Sequence, residues 1–168
     1  MKRIFSFASA LLLFVTIFSV SIVSAAPEVE IRAGETIFIP QKEQRAPSSD
    51  NASTFANPMG RIDCEPTSAG GAICDWRVAA GLKKINYSNV KVTFEKLNRA
   101  TFTWEYVSQQ TFNYPVNPAK SVIEDQASIG MLSSGFYRAT LGGTITTRNG
   151  TYVASAESPA TFTIEHTC

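Results

Sequence analysis

The chain has 168 residues, 44% hydrophobic and 17% charged, with a formal net charge of +1. A near-neutral balance without basic clusters offers no electrostatic grip on phosphate backbones, which argues against nucleic-acid binding. Phe, Tyr, Thr, Val and Ile are plentiful and no window sustains a 3.6-residue apolar period, so strands are expected.

The chain opens MKRIFSFASALLLFVTIFSVSIVSAAPEVE, with Lys2 and Arg3 before an apolar core over 10–23 and the small-residue pattern Val23-Ser24-Ala25. This reads as a secretory signal peptide, residues 1–25, cut to leave Ala26 first, because a cut after Ala26 would leave Pro27. The alternative is an uncut anchor, since residues 4–23 nearly reach bilayer length, but serines interrupt them. No later apolar stretch approaches that length. The mature chain is therefore expected to be secreted and extracellular, with no membrane span after cleavage. Removing 25 of the 168 residues leaves 143, and losing Lys2 and Arg3 takes the charge from +1 to −1. That is the size of one domain with some excess.

Residues 26–59 read as an N-terminal strand segment and polar linker. Short strand candidates lie at 29–31 and 36–40, and QKEQRAPSSDNASTFANP (41–58) reads as a long loop. Residues 60–168 form the main domain. Within it Ala72, Cys74, Trp76 and Val78 alternate with Ile73, Asp75 and Arg77, the period of a strand. Three cysteines in an exported chain call for one bridge and one remainder. Cys64 and Cys74 enclose EPTSAGGAI, a hairpin-like segment that favours pairing them, and an unpaired Cys168 then offers a bond to a second chain, a Cys168-linked dimer. Asp63, Glu65 and Asp75 sit near these cysteines, within reach of a calcium ion, but lack D-x-D-x-D-G spacing and read as a solvated loop.

A hairpin is expected over VKVTFEKLNRATFTWEYV (90–107). A three-residue loop at 97–99 sets Phe94 against Phe102 and Val92 against Trp104, burying Trp104, whereas a two-residue loop would put the aromatics on the charged face. The stretch 120–131 reads as a broken strand or a short helix. Tyr137, Ala139, Leu141, Gly143 and Ile145 then alternate with polar and small neighbours, and Arg148-Asn149-Gly150-Thr151 carries the Asn-Gly of a type I′ turn. That turn pairs Tyr137 with Phe162, Ala139 with Ala160 and Ile145 with Ala154. Pro159 marks an edge or bulge.

About seven short strands without convincing helices indicate an all-β, two-sheet antiparallel sandwich. Within it LSSGFYRA, carrying Leu132, Gly135 and Tyr137, resembles the tyrosine corner of immunoglobulin-like and fibronectin type III domains. Ala139 stands where antibody-type domains carry a cysteine, so the likeness is nearer to fibronectin-like and bacterial immunoglobulin-like modules. It covers about 60–168 and is one of fold. In such a sandwich the last strand runs beside the first, so Cys64 with Cys168 is the alternative pairing.

Chemistry is sparse. His166 is the only histidine, and its H-x-C spacing with Cys168 supplies two ligands, too few for a metal site. Gly70-Gly71 and Gly142-Gly143 read as turn and packing glycines rather than phosphate cradles. No catalytic residue, metal or cofactor is indicated. The expected function is a non-enzymatic binding or structural module, at the cell surface or in extracellular matrix, with an extracellular protein or polysaccharide as partner. The alternative is a carbohydrate-binding module. By residue type Trp104 and Tyr106 are its first choices, but Trp104 is expected to be buried, so Phe112, Tyr114 and Tyr87 are its ligand-stacking candidates, with a lid over the sandwich end as their structural role. N-x-S/T triplets begin at Asn51, Asn86 and Asn149; a leader of bacterial type leaves them unmodified.

Overall fold

The computed structural model describes residues 33–41 and 57–165. These residues form nine strands and no helix: β1 Gly34–Pro40, β2 Met59–Thr67, β3 Gly71–Ala79, β4 Ile85–Asn98, β5 Thr103–Lys120, β6 Val122–Ile129, β7 Gly135–Thr147, β8 Gly150–Ser158 and β9 Ala160–Ile164. The expected leader, the candidate strand at 29–31, Asn51, His166 and Cys168 lie outside the described residues. Two-residue alternation sets the faces. Ala72, Cys74, Trp76 and Val78 of β3 are buried, with Asp75 and Arg77 exposed.

All pairings are antiparallel, in the order β5-β4-β7-β8-β1-β2-β3-β6, with β9 also on β7. The joint of this sheet is β8. Its first half pairs with β7, Thr147 opposite Gly150 and Thr144 opposite Val153, and its second half with β1, Phe38 opposite Ala154 and Glu35 opposite Ser158. Pro159 follows, without an N–H for a ladder, and β9 returns to β7 with Ala160 opposite Ala139 and Phe162 opposite Tyr137. The gap between β8 and β9 leaves the Leu141 carbonyl without a strand on that side. Buried Thr36 of β1 fills the gap, its hydroxyl donating to Leu141 O at 2.6 Å.

The strands at the two ends of this order, β5 and β6, are joined through Ser121 alone, so the sheet curls until its edges meet. A side chain crosses the seam. Gln110 Nε2 donates to Ser128 O at 2.5 Å, and its Oε1 accepts from Ser128 N at 3.1 Å. The result is a nearly closed, barrel-like sheet around one core that includes Trp76, Tyr137, Phe38, Phe94 and Phe162. Full burial of such a side chain contributes about 1.5–3 kcal/mol. The expected all-β antiparallel class is observed. The seven-strand, two-sheet sandwich is not, because β8 belongs to both halves and β1 and β6 complete one continuous sheet.

Cys64 and Cys74 face each other across β2 and β3 and are bridged, with Cα atoms 4.0 Å apart. Closing so short a loop stabilises by about 2–3 kcal/mol. At the entry of β7 the Tyr137 hydroxyl donates to Ser133 O at 2.8 Å, and its ring stacks on Phe162 at 5.6 Å. Leu132 is buried beside it, and its N–H donates to Gly70 O. Gly135 opens β7 where a Cβ would come 2.6 Å from Lys96 Cε. The other glycine pairs turn and pack as expected: Gly70 has φ +74°, and a Cβ on Gly143 would lie 2.0 Å from Asn89 O.

Two registers differ from the sequence reading. Thr147 pairs with Gly150 around Arg148-Asn149, so Ile145 opposes Tyr152 rather than Ala154, and the positive φ falls on Gly150. In the β4–β5 hairpin Asn98 opposes Thr103, Leu97 opposes Trp104, and a register shift sets Phe94 against Ser108. Asn98 explains this turn. Its Oδ1 accepts from Ala100 N at 2.9 Å and Thr101 N at 3.3 Å, its Nδ2 donates to Glu105, and its carbonyl accepts from Phe102 N. Such a side chain builds a turn where apolar matching sees none. Trp104 is thereby turned outward.

Candidate functional site

The outer face of β5, β4 and β7 gathers the aromatic residues that the core does not use. Its rows follow from the ladders. At the hairpin end Trp104, Leu97 and Phe136 lie side by side, and next to them Tyr106, Glu95 and Arg138. Trp104 contacts Phe136 at 5.6 Å, ring to ring, and the Arg138 guanidinium sits 4.4 Å from its centroid. A ring that reaches from β5 over β4 to β7 lies along the sheet rather than standing off it. Arg138 Nε bonds Glu95 Oε2 at 2.6 Å, with both side chains about three-quarters buried, which fixes the guanidinium against the indole. Tyr106 is 68% exposed and Phe102, at the tip, 81%.

Towards the opposite end the rows turn polar: Gln109, Thr93 and Thr140, then Thr111, Lys91 and Gly142, then Asn113, Asn89 and Thr144. Gln109 Nε2 donates to Thr93 Oγ1 at 3.0 Å. The last row holds Tyr87, 41% exposed, between Pro115 and Thr146. Its hydroxyl donates to Asn113 Oδ1, which lays the ring towards β5. Beside the hairpin a depression of about 510 Å³ is lined by residues including Leu97, Asn98, Glu105, Gly135 and Thr163.

Of the three stacking candidates, only Tyr87 lies on this face. Phe112 and Tyr114 point inward from β5. Phe112 meets buried Trp76 edge-on at 5.1 Å, and Phe112 and Tyr114 are partly buried against the core. Burial first, and the charge of Asp125 second, push the Tyr114 hydroxyl above its ordinary pKa, against a smaller opposing effect of Ser88. Trp76 Nε1 is buried there without a hydrogen-bond partner. Sequence reasoning set Trp104 and Tyr106 aside because the expected register buries Trp104. The available signal was Asn98, with its capacity to close a turn over the four residues that follow.

The acidic residues near the disulfide stand on strands, not on a loop. Asp63 opposes Asp75, and Arg61 opposes Arg77, on the outer face of β2 and β3. Arg61 Nε bonds Asp63 at 2.8 Å, a bond that, with the carboxylate charge, raises the Arg61 pKa, and Gln126 donates to Asp75 at 2.9 Å. Among the described residues no three His, Cys, Asp or Glu side chains are placed to hold a metal. Asn86 lies in β4 and Asn149 in the β7–β8 turn.

No protein-family model matches the chain, and no curated protein is detectably similar to it.

Proposed function

We propose that this is an exported, non-enzymatic binding module, related in fold to immunoglobulin-like domains through its tyrosine corner, which holds an extracellular ligand on the outer face of β5, β4 and β7. The carrying observation is the braced indole of Trp104 beside exposed Tyr106. A largely buried ion pair packed against a surface aromatic fixes its orientation in advance, and preorganised rings bind without first losing side-chain entropy.

The test uses mature protein from the culture medium, expected to begin at Ala26, mixed with the envelope and extracellular-matrix fractions of its own culture. Wild-type protein and Arg77→Ala, altered on the opposite face, should be retained. Trp104→Ala combined with Tyr106→Ala should be lost from the pellet. Equal retention of the double variant overturns the face, and recovery of uncut chain in membranes overturns export.

A further inference from the structure

We infer that the ligand is a neutral, linear polysaccharide lying along β4, held by Trp104 and Tyr106 at one end and Tyr87 at the other; the inference rests on the binding face proposed above. From Tyr87 to Leu97 the strand runs roughly 33 Å at about 3.3 Å per residue, so the two aromatic ends engage an extended ligand rather than one ring. Both ends present rings that lie along the sheet: Trp104 reaches over β4 to Phe136, and Tyr87 is tethered at its hydroxyl to Asn113. Flat rings fit the C–H faces of sugars, and the amides and hydroxyls between them fit sugar hydroxyls.

Charge selects the class. Arg138 and Glu95 neutralise each other at 2.6 Å, which leaves Lys91 as the only other charge in the six rows. A face so nearly neutral matches an uncharged partner. It lacks the basic cluster that draws a protein to an anionic membrane. It also lacks the contiguous apolar centre of a protein interface, because three polar rows separate its aromatic ends. A polysaccharide, whose apolar and polar surfaces alternate along its length, meets both kinds of row at once.

The experiment is co-sedimentation of the full mature protein with insoluble cellulose, xylan, β-1,3-glucan, chitin and starch, with polygalacturonate gel as the acidic comparison. At least one neutral polymer should bind it, with an affinity unmoved by added salt. Trp104→Ala and Tyr87→Ala should each weaken binding about tenfold, the loss of one stacked ring, with unfolding midpoints confirming that both variants are folded. Binding that Tyr87→Ala leaves unchanged overturns the lengthwise placement. If no neutral polymer binds while retention on the envelope fraction still requires Trp104, the polysaccharide is overturned and the face stands. If retention ignores Trp104, the face itself falls.

Discussion

At Tyr137 a single hydroxyl ties the entry of β7 to the loop before it. The residue is 1% exposed, its oxygen bonded to Ser133 O and its ring stacked on Phe162. Tyr137→Phe should therefore lose about 1 kcal/mol, the net worth of one hydrogen bond. Tyr137→Ala should lose about 3–5 kcal/mol by opening a cavity in the core. Urea denaturation measures both, and equal, negligible losses would mean that the corner contributes nothing. This site was legible because its parts lie within six residues, Leu132 to Tyr137, and local spacing suffices to recognise them. The Cys64–Cys74 bridge was legible for the same reason, as its ten-residue separation spans one hairpin. Trp104 was not: which face it takes depends on the turn at Asn98, and matching apolar residues across the hairpin ranks a buried tryptophan first.

The β4–β5 hairpin shows how turn chemistry overrides that matching. Its loop is closed by the Asn98 side chain, and Phe102 takes φ +56°, a backbone region that disfavours a bulky residue. At 81% exposure its ring recovers little by burial. Phe102→Gly should consequently stabilise the protein by about 1 kcal/mol, because glycine takes that conformation without the clash of a Cβ. A higher denaturation midpoint with an unchanged slope is the expected reading; a fall would show that the Phe102 ring packs on the tip. The β7–β9 pairing, by contrast, was legible from its alternation. Tyr137 does meet Phe162, and Ala139 does meet Ala160. The intervening course of β8 was not, since the two halves of that strand take different partners and only the distant β1 supplies the second. Alternation fixes which way a side chain faces, not which strand lies beside it.

For the whole molecule the decisive feature is how the sheet ends. An open sheet of this width exposes the unpaired edges of β5 and β6, which are templates for joining another chain. Curling brings those edges together, and Gln110 presents to Ser128 the donor and acceptor that a neighbouring strand would offer. Nothing in the local sequence marks this contact, because the two residues meet only once the other strands are in order. Since both groups are near solvent, which takes up bonds that are broken, Gln110→Ala should cost less than about 2 kcal/mol, at most two hydrogen bonds of net worth roughly 1 kcal/mol each. Its effect should instead be local. Hydrogen exchange at the Ser128 amide should accelerate, while amides in the β2–β3 ladder around the disulfide keep their protection. The freed edges should also raise self-association at high protein concentration, measurable by sedimentation. Unchanged protection at Ser128 together with unchanged self-association would show that the seam is held by its backbone and the shared corner at Ser121, and that Gln110 does not close the sheet.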